Sequence, residues 1–156
     1  MTQADRPRRR VAPAFFALAV VLFIAIDLAA GVMAEVSVRG HAPAAAALEH
    51  LHYSIVQWAG TLFLSLPFLG LAWICLPIVR ARGRLAAILA LLCGSLALGG
   101  VSLFGYRMSS QALLDHQWTA AALDVAFSPF MALPVLLLAY VLRRLVLRAR
   151  ADSGTK

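Results

Sequence analysis

Asp27 stands inside an otherwise apolar run, and that placement is the sharpest chemical feature of this 156-residue chain. A carboxylate at membrane depth costs about 2.5–3.5 kcal/mol on insertion scales, so Asp27 is expected to turn inward and find hydrogen-bond donors. Gly31 and Glu35 follow it at i+4 and i+8, with Ala30 and Ala34 beside them, which gives a small, acidic strip on one helical face. Counting helical rise from the span boundaries sets Asp27 level with Thr61 to Ser65, with Ser102 and with Ser128, and sets no basic side chain at that level. The strip reads either as a proton or cation site or as a buried acid that only holds helices together.

A second pattern lies downstream. His50, Ser54, Gln57, Thr61 and Ser65 recur at spacings of three and four, which on one continuous helix forms a single polar face. Lipid is a poor neighbour for such a face. It is expected to meet other helices, either as hydrogen-bonding glue worth about 0.6 kcal/mol per contact or as the wall of a watered cavity.

All four histidines, His41, His50, His52 and His116, fall in or beside two connecting segments, together with Glu35, Glu49, Asp115 and Asp124. Titratable chemistry is therefore gathered on one side; the plainer reading is that exposed loops are polar. His50 and His52 point to opposite sides of a helix and cannot share an ion. Glu49 and His52 form one Glu-x-x-His element, whereas di-iron carboxylate bundles require two such elements and two further glutamates. No metal and no cofactor is expected, and haem held by His50 or His52 with His116 is the alternative. Cys75 and Cys93 form no C-x-x-C pair and read as small core residues, which argues against membrane thiol redox chemistry. The chain has no phosphate-cradling glycine loop and no G-x-S-x-G nucleophile turn.

The elements that must position these residues are membrane spans. With 62% hydrophobic residues, 13% charged and a mean hydropathy of +0.84, the chain is too apolar for a soluble domain. The apolar residues form four blocks of membrane-crossing length, 14–34, 51–79, 85–106 and 119–142, between tails at 1–13 and 143–156. An all-α, integral membrane four-helix bundle in a single domain follows. Pro67, Pro129 and Pro134 lie inside spans, where proline kinks a helix that its neighbours then repair. Of the 14 Lys and Arg residues, all but Arg39 and Arg107 lie before the first block, between the second and third, or after the fourth. The positive-inside rule then puts both termini in the cytoplasm of a bacterial inner-membrane protein. The first block also reads, less well, as a signal peptide ending at Val32-Met33-Ala34, because its apolar run exceeds the roughly 7–15 residues of a signal core.

These juxtamembrane arginines point to anionic lipid headgroups and away from nucleic acid. Ala86, Ala90 and Gly94, and on another face Ser95, Gly99 and Ser102, let helices approach closely, within one chain, a homo-oligomer or a larger membrane complex. Tyr53, Trp58, Tyr106 and Trp118 suit one membrane interface, Trp73 and Tyr140 the other. Pro43 suits a first helical turn, and Ser109 or Ser110 suits the cap of a short surface helix bearing Asp115 and His116. Taken together, the residues suggest a non-enzymatic accessory or small-solute or proton transport protein with a polar pocket facing outward. A membrane-embedded enzyme or a haem or metal redox carrier using the histidines is the alternative.

Overall fold

A computed structural model describes residues 6–153, and these are almost wholly helical. Six segments follow in order: α1 (Arg6–Arg39), α2 (Pro43–Val56), α3 (Trp58–Arg82), α4 (Arg84–Leu114), α5 (Trp118–Met131) and α6 (Leu133–Ser153). Four stretches are long and apolar enough to cross a membrane: Ala12–Arg39, Trp58–Val79, Arg84–Leu114 and Trp118–Ala149. The last of these contains both α5 and α6. Its break at Ala132 follows from Pro129 and Pro134, which remove two amide donors from adjoining turns, while Ala132 and Leu136 still donate to the carbonyls of Ser128 and Ala132.

Helix α4 is the centre of the bundle, with α1, α3 and α5 packed on it, and α6 lies against α3. The fourth span therefore passes from α4 to α3 where the prolines bend it. Small residues make the close approaches. A Cβ added to Gly94 would stand 2.6 Å from Leu71 Cδ2, and one added to Gly99 would stand 2.5 Å from Ile26 Cγ2. Both glycines thus sit under side chains of neighbouring helices, as the small-residue faces of this segment predict.

The apolar core occupies the arginine-rich half of the bundle. Phe15, Ala19 and Phe23 of α1 pack there with Phe68, Leu71 and Cys75 of α3 and with Ala87, Leu91 and Leu98 of α4. Large apolar side chains also cover the outside of every span, including Val21, Trp73, Leu96 and Leu137, each at least 60% exposed. A surface of that kind is stable against lipid tails and unstable against water. The opposite, arginine-poor half is differently built, because α2 is inserted there between the first two spans and packs chiefly on α1.

Three local expectations are corrected. The residues from Arg107 to Leu114 form no separate surface helix; they extend α4, since no breaker interrupts them, and the chain turns only at Asp115 and at His116, whose φ is 59°. The polar face from His50 to Ser65 is not continuous. At Gln57 the backbone leaves the helix (φ −102°, ψ 44°), so His50 and Ser54 belong to α2 and Thr61 and Ser65 to α3. The third concerns Tyr106, whose hydroxyl is not an interface anchor but turns inward, as described below.

Candidate functional site: a hydrogen-bonded aspartate behind a cavity

The turn after α1 decides what Asp27 meets. Gly40 adopts φ 69°, a left-handed conformation that ends the helix without a Cβ penalty, and Pro43 starts α2 with its φ already helical. The chain folds back, and α2 lies along the end of α1. That reversal carries His50 to Asp27, with Nε2 of His50 3.0 Å from Oδ2 of Asp27. The other carboxylate oxygen, Oδ1, accepts a 2.7 Å hydrogen bond from the Tyr106 hydroxyl of α4. Asp27 is 7% exposed. One buried carboxylate thus joins three helices, and it has the inward position and the donors its sequence context demands.

Those donors differ from the ones the depth count suggests. Thr61 Oγ1 donates to the carbonyl of Ser54 at 3.0 Å, and Ser65 Oγ donates to the carbonyl of Leu62 at 2.7 Å. Ser54 would ordinarily accept from the amide four residues on; the break at Gln57 frees its carbonyl, and the Thr61 hydroxyl takes that place. Thr61 therefore stitches the kink rather than serving Asp27. The absence of a basic side chain at this level is likewise corrected, because His50 descends with α2.

Gly31 makes the contact of α1 and α2 possible. A Cβ on Gly31 would fall against Nδ1 and Cε1 of His50 and 2.9 Å from its Cγ, so the imidazole occupies the space a side chain would fill. Tyr106 closes the ring from the other side, edge-on at 89° and 5.3 Å between centroids. Glycine below, tyrosine beside and aspartate at Nε2 fix the orientation of His50.

A cavity of about 700 Å³ opens beside this group, between α2, the first turns of α3 and α5, and the last turns of α1 and α4. His50 and Tyr106 line it, with Ser54, Gln57 and Thr61 on the same wall. Glu35, Arg39 and Glu49 also line it, and Leu64, Ala121, Val125 and Ala126 make its apolar flank. Phe63, another lining residue, contacts Phe130 with a 6.2 Å centroid separation. The volume is that of ordinary small-molecule sites, about 300–1,000 Å³, and a mostly apolar lining with a few fixed polar groups is their usual chemistry.

A second polar cluster lies beside the cavity. Glu35 Oε2 accepts from Arg39 Nη1 at 3.1 Å and lies 3.3 Å from His41 Nδ1, while Glu35 Oε1 accepts from the buried Ser110 hydroxyl at 3.2 Å. Glu49 lies 3.7 Å from the same His41 nitrogen. The partner of Glu49 is therefore His41, not the exposed His52 with which the sequence pairs it. Asp115 and His116 stand exposed on the α4–α5 turn, and Asp124 is half-buried in α5, its carbonyl 3.4 Å from where a Gly105 Cβ would stand.

Of the residues singled out from sequence, Asp27 and His50 meet directly, and Glu35, His50, Ser54, Gln57 and Thr61 share one cavity. Ser65, His52, Asp115, His116 and Asp124 line no part of it. Tyr106 is the partner of Asp27 that the sequence does not announce; its place on the same block as Gly99 and Ser102, at one end of an inward face, is the signal for it. Comparison with protein-family models, with curated proteins and with solved structures finds no match to this chain.

Proposed function

We propose that this chain is a small multi-pass membrane protein that binds a small solute in the cavity beside His50, as a transport protein. The observation that carries this reading is the pairing of a built polar group with open volume. Asp27 and Tyr106 hold the His50 imidazole at the wall of a 700 Å³ cavity, where it can offer a fixed hydrogen bond to a ligand. A purely structural acid needs no such space next to it. Accumulation of solute by vesicles containing the protein tests the proposal.

The same pair supports a second reading, a membrane-embedded enzyme, since a carboxylate that orients a histidine toward a cavity is the arrangement of a general base. Turnover of a soluble substrate by detergent-purified protein, without vesicles, tests it; a haem carrier using the exposed histidines would instead show a Soret band.

The proposal includes the orientation, both termini in the cytoplasm of a bacterial inner membrane, which rests on the arginine distribution. The cavity then lies in the outer half of the membrane. Cysteines placed at Ala45 and Gln111 are expected to react with an impermeant maleimide added to intact cells, and one at Gly83 is not. Labelling at Gly83 with protection at the other two positions would reverse the topology.

A further inference from the structure

We propose that Glu35, His41 and Glu49 form a binding site for a divalent first-row transition ion, zinc being the closest fit, beside the cavity. The three side chains come from separate places, the last turns of α1, the α1–α2 turn and the first turns of α2, and one ligand atom of each lies within 4.8 Å of the others. The separations from His41 Nδ1 are 3.3 Å to Glu35 Oε2 and 3.7 Å to Glu49 Oε2. Tetrahedral zinc, with bonds of about 2.0–2.2 Å to nitrogen and carboxylate oxygen, sets its ligands about 3.3–3.6 Å apart. Those two edges already bracket that spacing, and the third, within 4.8 Å, closes by rotation of the Glu49 side chain.

The donor set selects the class of ion. One imidazole nitrogen with two carboxylates suits zinc and its neighbours, whereas magnesium and calcium prefer oxygen throughout. Three protein ligands leave a fourth position open, and Glu35 and Glu49 both line the cavity. One hydrogen bond prepares Glu35 as a ligand. Ser110, 4% exposed, holds its Oε1, so Oε2 is presented toward His41. That bond fixes the carboxylate, as hydrogen bonds behind metal ligands generally do. The Arg39 guanidinium on Oε2 is the competing cation; it reaches Glu35 from one turn away along the helix and must turn aside when an ion arrives.

The inference is independent of the solute-binding reading, because it is tested with the metal alone. Zinc titrated by calorimetry into untagged, detergent-purified protein is expected to bind saturably at one ion per chain, with magnesium giving no heat. His41→Ala and Glu49→Gln should each weaken binding by at least about tenfold, in the range for loss of a supporting group at metal sites. Arg39→Gln, which removes the competing cation, should tighten it. His50→Gln should leave it unchanged. Glu49 is exposed, so its variant folds whatever becomes of the others. No saturable binding in the native protein, or binding that survives His41→Ala and Glu49→Gln unaltered, would overturn the site and reassign any uptake to exposed His52 or His116.

Discussion

Asp27→Leu is expected to destabilise the bundle by about 2–4 kcal/mol, because it strands two buried partners at about 1–3 kcal/mol each. The Tyr106 hydroxyl and the His50 imidazole both end on this carboxylate, on opposite oxygens. Leucine fills a similar volume and satisfies neither. Interhelical hydrogen bonds in membranes average only about 0.6 kcal/mol when the separated partners find substitutes. Here His50 can draw water from the cavity, but Tyr106 loses a short bond to a buried carboxylate, and that places the expected cost above the average. Asp27→Asn separates geometry from chemistry. Its amide oxygen accepts from Tyr106 and its amide nitrogen donates to His50 Nε2, so the helices stay joined while the tautomer of His50 is reversed. The order of stability in detergent unfolding should be native, then asparagine, then leucine. A leucine variant as stable as the native protein would mean that Asp27 faces lipid.

The second large effect belongs to a residue with no side chain. Gly31→Ala should cost about 1–3 kcal/mol, the range for overpacking, because the new methyl group falls on the His50 ring, which Asp27 and Tyr106 hold on its other sides. The ring must leave, and its bond to Asp27 goes with it. The sign of this effect depends on His50. In a His50→Ala background the space is open, and Gly31→Ala should become neutral or stabilising by up to about 1 kcal/mol, the gain in helix propensity of alanine over glycine. A cycle of the four proteins measured by unfolding would show that reversal. A penalty for Gly31→Ala that persists without the imidazole would place some other group against Gly31.

How far the sequence carries is visible in these same residues. The spans are legible because a backbone crossing lipid needs about 20 apolar residues in a run, and nothing else in the chain imitates that. Asp27 is legible for the same reason inverted, as the one acid deep in the first run. Its partners are not. A depth count treats each span as a straight rod starting at the first apolar residue, and it fails where Gly40 turns the chain and α2 descends beside α1 before the kink at Gln57. His50 therefore looks like a loop residue and Tyr106 like an interface anchor, although both end on Asp27. The Glu35, His41 and Glu49 group is hidden in the same way, since only the left-handed Gly40 brings His41 back over Glu35. Periodicity reports which residues share a face of one helix; the contacts that matter here are made across a turn and between helices.

Transport of a small solute through the cavity beside His50 is what this chain is proposed to perform by itself. Its most direct test is uptake of soluble metabolites from a cell extract into right-side-out vesicles, followed by mass spectrometry of the vesicle contents, with empty vesicles as the reference. Three proteins are compared: native, His50→Gln, and Ala122→Trp, which places an indole in the cavity from an exposed lining position on α5. At least one small solute is expected to accumulate with the native protein, and both substitutions are expected to abolish this while leaving the bundle folded. Native vesicles indistinguishable from empty ones, or uptake that Ala122→Trp leaves intact, would contradict it.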